Sequence, residues 1–493
     1  MPLASERCVT DLSALPAGPP AGPITLVLAG LEVSVSPGEE EALFSRSFDD
    51  VETLLALHRF AWMTATDDID LAWVQALWQA WRKAYGAPSD HWAWHPYTAS
   101  ERATNILAFA IESGLPEPLN DTLGVLVAHA QAIVARLEYF GDHHTSNHLA
   151  NNGRGLYFLG LNLGMEKARE IGRRILLEEA KRIILPSGIL REGSSHYHFL
   201  VFRLYQKAAD LAAAYARPEA VELNAICEKM KSAAGALLLP GGMPLVGDIS
   251  PDISPDRLLG DLALGPASKT LAADGWLRFD SGPWSGLWHA SPEGFSFMPG
   301  HGHQDMGSFE VHYKNEALFV DPGRGAYGET GDAALYRSAT VHNGLSVDGG
   351  DPYLPNRPYY DDTFRRHVTG PRPALTASAS GVCLRHHVGK TNEHLRQWDF
   401  AGDHLSIKDD LRGVGRHKIF RRLVSPLAVE IKDGVAVLQG QTKTYRVTCP
   451  GAALSLQLVT CWRAYGQGMQ GSMIEFSNDQ ALPFAGIIIV EAL

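Results

Sequence analysis

The sequence predicts an α+β chain in which a long all-helical region precedes an antiparallel β-sandwich. Three observations carry this. From Phe44 to about Gly275 apolar residues recur at three- and four-residue steps, the period of helices packed on one face. After Trp276 the period switches to two, the alternation of half-buried strands. Helical and strand segments are not interleaved, so a doubly wound α/β sheet is not expected.

Taken in order, residues 1–38 form an N-terminal arm rich in proline and glycine. Its one apolar alternation, Ile24 to Leu28 and Leu31 to Val35, reads as a short hairpin. The helical domain spans 39–280. Its expected helices are Asp49 to Thr64, Ile69 to Tyr85, Ser100 to Ser113, Leu119 to Phe140, Ser146 to Leu163, Glu166 to Leu185, His196 to Ala216, Pro218 to Leu239 and Pro255 to Ala273. Leu71, Val74, Leu77, Trp78 and Trp81 share one face, a stripe that reads as helix packing rather than a sugar platform.

The sandwich spans 281–493. Its expected strands are Ser285 to Ala290, Gly294 to Met298, Ser308 to Tyr313, Ala317 to Asp321, Asn343 to Val347, Leu384 to His387, His404 to Asp409, Arg416 to Val424, Val429 to Leu438, Thr442 to Val447, Leu454 to Cys461 and Phe484 to Val490. No internal repeat or low-complexity tract interrupts the pattern.

Composition narrows the function. Of 493 residues 45% are hydrophobic and 20% charged, an ordinary globular balance. The net charge of -12 argues against nucleic acid as a partner, and a polyanionic ligand would need a locally basic cleft. The five cysteines are scattered and lack CxxC spacing, so neither a disulfide framework nor a cysteine zinc site is expected. No segment reads as a membrane span, and the N-terminus does not read as a signal peptide. The expected location is therefore the cytoplasm, or the periplasm if a leader was removed or replaced.

Residues able to do chemistry concentrate in four clusters. The stretch Gly300 to Phe309 holds His301, His303 and Asp305, and a hairpin turning at Lys314-Asn315-Glu316 returns Asp321 to it. If the stretch is a strand, His301 and His303 project from one face. Imidazole and carboxylate brought together this way suit a divalent metal, and a first grouping takes His301, His303, Asp305 and Asp321 as its ligands. A second cluster opens a helix after Ser146, where Asn147, His148 and Asn151 share a face, followed by Asn152 and Arg154. A capped helix start with solvated polar residues explains the same pattern.

The third cluster, Arg191-Glu192-Gly193-Ser194-Ser195-His196-Tyr197-His198, lies between helices, where either a binding loop or a capping loop fits. The fourth supplies Arg324, Tyr327, Tyr336, Arg337 and His342 shortly after Asp321. Arg102, Arg154, Arg191, Arg203, Arg324 and Arg337 are candidates to line a cleft for carboxylate or sulfate groups, although about half should simply pair with neighbouring acids.

The order Asn-His, Glu-Gly-Ser-x-x-Tyr-His, His-x-His-x-Asp-x-Gly-Ser-Phe, Asp-Pro-Gly and Arg-Ser-x-x-x-His-Asn resembles the heparinase II/III-like polysaccharide lyases and the related alginate lyases. The resemblance covers roughly residues 95 to 350. It implies an incomplete (α/α) toroid of helical hairpins followed by an antiparallel β-sandwich. It also implies a carbon–oxygen lyase that cleaves an acidic, uronate-containing polysaccharide or oligosaccharide by β-elimination.

That reaction removes the proton at C5, α to the uronate carboxylate, and expels the glycosidic oxygen from C4. The carbanion is prohibitive unless the carboxylate is neutralised. The resemblance gives Asn147 and His148 that task, makes Tyr197 the proton donor to the leaving group, and puts His301 at the cleft. It calls for a second tyrosine from the sandwich side, Tyr327 with Tyr336 as runner-up. Asn151, Arg154, Glu192, His198, Arg324 and Arg337 are the expected substrate-binding residues. His303, Asp321 and His342 match the ligands of a structural zinc, which leaves Asp305 to support the loop. An oligomer, if formed, is expected to be a dimer.

Two other enzyme classes and a binding protein fit parts of the pattern. A metallo-β-lactamase-type hydrolase wants a histidine where Met306 stands. A glycoside hydrolase needs two poised carboxylates. Asp142, Glu192 and Asp248 are available, but no motif singles out a pair. A glycan-binding protein without turnover would have no need of both histidines and Tyr197.

Overall fold

A computed structural model describes residues 12–16, 18–64, 69–142, 144–260, 262, 264, 271–290, 300–353, 361, 363, 364, 367, 370–388 and 392–493. The fold class is the expected one, helices followed by antiparallel sheets. The chain divides into two compact units: one of residues 1–183, 201–228 and 250–258, the other of residues 184–200, 229–249 and 259–493. The division falls within the helices Ser195–Ala214 and Ala220–Ala236. No helix among the described residues is long and apolar enough to cross a membrane.

The first unit begins with the arm hairpin Ile24–Leu28 and Leu31–Val35, antiparallel as expected. Its helices start where side chains can cap them: Asp50 accepts from Glu52 N at 2.9 Å and Asp70 from Ala72 N at 2.9 Å. Trp78 and Trp81 are fully buried and stacked 5.3 Å apart, so the tryptophan stripe is packing.

The helix Asn147–Asn162 is wedged by small residues. A Cβ on Gly160 would stand 2.3 Å from Arg169 N in the helix Glu166–Ile183. One on Gly155 would stand 2.7 Å from Ser100 in the helix Pro96–Ser113. Close approach on both sides fixes the helix that carries His148.

In the second unit every paired strand is antiparallel. An eight-stranded sheet runs in the order Ala428–Lys432, Val435–Gln439, Thr444–Thr448, Phe484–Ala492, His404–Arg412, Asn392–Ala401, Gly381–Val388, Ala374–Ala377. One four-stranded sheet runs Ala453–Ala464, Gln467–Ala481, Arg416–Ser425, Leu345–Val347. The other runs Trp276–Ser281, Trp284–His289, Phe309–Tyr313, Glu316–Phe319. Trp288, Phe309, Trp398, Leu423 and Phe476 close one core between them, each large apolar side chain contributing about 1.5–3 kcal/mol.

Several expected elements differ. The segment Val429 to Leu438 is a hairpin, not one strand, because Asp433 and Gly434 turn the chain at φ +50° and +75°. The helix from Pro255 stops at Leu259, before Gly260 at φ +45°, and Leu271–Asp274 is a separate 3-10 turn. The helix from Leu119 ends at Ala135, which leaves Glu138 in irregular backbone. His301 and His303 sit in a loop before the strand Phe309–Tyr313 rather than in a strand. The expected strand Gly294 to Met298 lies outside the described residues. Strands Asn392–Ala401 and Gln467–Ala481 were not anticipated. The described cysteines are free, as expected.

Candidate functional site

In the second unit three distant segments are laced together by their backbones. His301 N donates to Glu192 O at 3.1 Å, and Asp248 N donates to His301 O at 2.9 Å. Gly247, at φ +77°, makes this possible: a Cβ there would lie 2.6 Å from both Gly193 O and His301 O. The lacing presents Glu192, Tyr197, Asp248 and His301 to one another.

Tyr197 stacks on His301 with ring centroids 3.4 Å apart and planes 12° from parallel. Its hydroxyl lies 2.6 Å from that of Tyr327. Tyr327 donates its own proton to Ile249 O at 2.9 Å, so Tyr197 is the donor in the contact between the two phenols. Tyr327 is itself placed by Tyr465, whose hydroxyl accepts from Tyr327 N at 3.2 Å. Tyr336 is elsewhere, buried, its hydroxyl accepting from Thr460 N at 2.7 Å. Of the two sandwich tyrosines, then, the structure brings Tyr327 to Tyr197.

Asp248 is the hub behind this pair. One carboxylate oxygen lies 3.2 Å from His301 Nδ1; the other lies 2.9 Å from His303 Nε2 and accepts from Arg324 Nη1 at 3.0 Å. Burial disfavours its charge, yet the two histidines and the Arg324 cation together hold the carboxyl far below the usual range. Glu192 stands on the other side of His301, its Oε2 3.5 Å from Nε2.

His303, Asp321 and His342 are buried and offer ligand atoms that all lie within 4.8 Å of one another. His303 Nδ1 has no hydrogen-bond partner, although it is buried, because Nε2 faces Asp248. His342 donates Nε2–H to Tyr336 O at 3.0 Å and turns Nδ1 toward Asp321 Oδ2, 3.0 Å away. Burial opposes charge on His342, but Asp321 outweighs it and lifts the imidazole to about 9. A bare imidazole nitrogen and a carboxylate aimed at the same spot as a second imidazole suit a cation. Asp305 is not one of the three and contacts His289 Nδ1 at 3.1 Å, a supporting position.

In the first unit, Ser146 caps the helix of His148 by accepting from His148 N at 3.3 Å. The His148 ring lies 4.6 Å from that of Tyr97, and its side chain is 43% exposed. Nδ1 meets Glu138 Oε1 at 2.7 Å, an oxygen that His95 Nε2 also approaches at 3.7 Å. Asn152 donates to the other Glu138 oxygen at 3.0 Å. Burial pushes Glu138 up, but these bonds outweigh it and hold the carboxyl below its ordinary value. The Glu138 carboxylate accepts from Nδ1–H and so fixes the orientation of the His148 ring.

Residues 263–478 match the family profile described as Heparinase II/III-like, C-terminal. Over this stretch the chain is similar to the heparinase II/III-like family. The match runs well past residue 350, into strands where the motifs gave no family signal. No curated protein matches the chain. Among solved structures the chain is similar to a heparinase III, at 16% identity and TM-score 0.69 over 91% of this chain and 79% of that one. It is also similar to heparan sulfate lyase HepC from Pedobacter heparinus, at 16% identity and TM-score 0.59 over 93% and 79%. A chondroitinase AC lyase follows at 11% identity and TM-score 0.51 over 92% and 79%. At these identities the likeness establishes the fold.

The residues expected to bind substrate have partners of their own within the fold. His198 is fully buried: Leu190 N donates to its Nδ1 at 3.2 Å and Nε2 meets Met230 O at 3.1 Å, and burial lowers the ring to about 4. Asn151 is occupied by Tyr97 O at 3.2 Å and by Arg154 at 2.7 Å, and Arg154 is paired with Glu101. Arg324 is filled by Asp248, Ala333 O and Gly328 O, and Glu192 is buried against His301. Arg337 stays partly exposed and pairs with Glu329 at 3.0 Å. Arg102 lies in the interior, 4.0 Å over the Trp81 ring, and donates to His129 and to His58 O.

Two carboxylates have a larger part in the geometry than the motifs suggested. Asp248 carried only a weak signal, a lone acid after Val246-Gly247. Glu138 carried none, since it falls in a stretch that reads as the end of a helix.

Proposed function

We propose that the chain is a polysaccharide lyase that cleaves uronate-containing polymers or oligosaccharides by β-elimination. The observation that carries the reading is the hydroxyl contact of 2.6 Å between Tyr197 and Tyr327, with His301 stacked on the Tyr197 ring. A lyase needs a group that can hold and move one proton at a phenolic oxygen, and Tyr327 is placed to donate to the Tyr197 phenolate once the latter has lost its proton. In the reaction the C5–H bond breaks and its proton passes to the unprotonated nitrogen of His301, or to Tyr197 where that residue enters as the phenolate. The electron pair becomes the C4–C5 double bond, the C4–O bond breaks, and the departing oxygen takes its proton from a tyrosine hydroxyl.

Asn147 and His148 belong to the other unit, and their assignment to the uronate carboxylate stands on the motif resemblance alone. His303, Asp321 and His342 are the residues that would hold a zinc ion. When bound, the ion would supply a cross-link between the loop of His303 and the segments of Asp321 and His342. The fold of the solved heparan sulfate and chondroitin lyases supports an acidic polysaccharide as substrate.

A glycoside hydrolase is disfavoured by the same geometry. Asp248 engages His301, His303 and Arg324 through both oxygens, so it is not free to serve as one of two carboxylates poised across a glycosidic bond. The test is incubation with alginate, heparin-type, hyaluronan-type and bacterial exopolysaccharide substrates, read by the ultraviolet absorbance of the unsaturated uronate. Shortened oligosaccharides without that absorbance would overturn the lyase reading.

A further inference from the structure

We propose that Asp248 is a positioning residue that fixes the tautomers of two histidines at once, His301 beside Tyr197 and His303 in the metal-ligand group. It thereby couples metal retention to proton transfer through one carboxylate. The kinetic part of this rests on the lyase reading; the metal and tautomer parts do not.

The geometry is specific. Asp248 is 4% exposed, and its two oxygens are divided between the two rings: Oδ2 at 3.2 Å from His301 Nδ1, Oδ1 at 2.9 Å from His303 Nε2. An ionised carboxylate only accepts, so each facing nitrogen carries its proton. His303 is therefore the Nε2–H tautomer, and its buried Nδ1, which has no hydrogen-bond partner, keeps its lone pair free for a cation. His301 carries a proton on Nδ1, on the side away from Nε2.

Arg324 keeps the carboxylate charged by donating to Oδ1 at 3.0 Å, and is itself held by Ala333 O at 2.8 Å and Gly328 O at 2.6 Å. The backbone bond from Asp248 N to His301 O, 2.9 Å, holds the carboxylate in register with the ring it orients. Carboxylates that accept from a metal-ligating imidazole fix its orientation, and losing one weakens metal affinity about 10–100-fold. Here the same carboxylate also meets a ring outside the metal group, so the loss should be felt in both places.

The test compares the wild type with Asp248→Asn. Zinc affinity, measured by competition with a chelator, should fall about 10–100-fold. At saturating zinc kcat should still fall at least about tenfold with KM within about twofold, because His301 has lost its anchor. In a His301→Ala background, Asp248→Asn should change the remaining kcat by less than about twofold, since the path through His301 is already gone.

Zinc affinity within twofold of wild type, a zinc-saturated kcat equal to wild type, or full additivity with His301→Ala would each overturn the proposal. So would a wild type that binds no zinc. If Asp248→Asn does not fold, nitrogen-15 NMR of the wild-type histidines decides, because His301 protonated only on Nε2, or His303 only on Nδ1, overturns it. A wild type that gives no unsaturated product removes the lyase reading, while the zinc and NMR measurements still judge Asp248.

Discussion

The Tyr197 and Tyr327 hydroxyls lie 2.6 Å apart although the residues are 130 positions apart in the chain. Since Tyr327 donates onward to Ile249 O, the two phenols form a short proton-donating chain that ends at a carbonyl. Replacing either tyrosine by phenylalanine removes one link and little volume. Both Tyr197→Phe and Tyr327→Phe should lower kcat by about 10²–10⁴-fold, the usual worth of a positioned acid or base. Circular dichroism and melting should stay close to wild type. Normal turnover by Tyr197→Phe, read by uronate absorbance, would remove it from the chemistry.

The metal group makes a separate prediction. His303→Ala, or treatment of the wild type with a chelator, should lower Tm by roughly 5–10 °C, since each lost kcal/mol moves a domain of this size by about 2–4 °C. Chelator should then have no further effect on the variant. Equal melting temperatures for His303→Ala and wild type would contradict a structural ion at His303, Asp321 and His342.

Glu138→Gln probes His148. The amide replaces the charged oxygen that meets His148 Nδ1 at 2.7 Å, so the ring loses its anchor while the helix cap at Ser146 stays intact. A loss of kcat/KM of about tenfold or more is expected. An unchanged kcat/KM would show that Glu138 does not act through His148.

Acid should destabilise the fold through histidines buried in the neutral form. Burial lowers His58 to about 3 and His198 to about 4, and lowers His129 and His386 well below their ordinary value. An unfolded histidine titrates near about 6.5. Between that value and the folded one the unfolded state binds more protons, so stability is greatest above about pH 6.5 and is lost as pH falls toward 4. Each such histidine steepens the loss by up to about 1.4 kcal/mol per pH unit. Urea melts at pH 7, 6 and 5 would measure it, and a flat response over that range would contradict the neutral assignments.

Helix packing gives a local test. Gly160→Ala must push a methyl into Arg169 N, 2.3 Å away, and should cost about 1–3 kcal/mol. Gly124→Ala, where nothing lies within 4 Å, should be neutral or mildly stabilising.

The helical half was legible because its stripes are apolar and long, as Leu77, Trp78 and Trp81 illustrate. The strand Asn392–Ala401 was not, because its inward side chains are His394, Arg396, Trp398 and Phe400, and two polar residues among them break the period of two. The hairpin at Asp433-Gly434 did carry a signal, an Asp-Gly pair inside an apolar run, which was absorbed into one strand. Tyr197 and His301 could be picked out by motif, and Tyr327 only as one of two choices with Tyr336. The standing of Arg154, Arg324 and His198 could not, since sequence gives the charge or ring but not the partner that occupies it.

The backbone lacing of residues 192, 248 and 301 bears on how the protein comes into being. Loop closure between segments tens of residues apart forms late in folding, after local helices and hairpins. The cluster around His301 should therefore mature as a final step, when helical and strand segments already exist. A fragment spanning only the matched 263–478 region would keep His303, Asp321 and His342 but lack Tyr197, Glu192 and Asp248. Such a piece would carry the three candidate ligands without the carboxylate that orients His303 and without the residues of the reaction, and a nascent chain would gain chemical competence only once it is nearly whole.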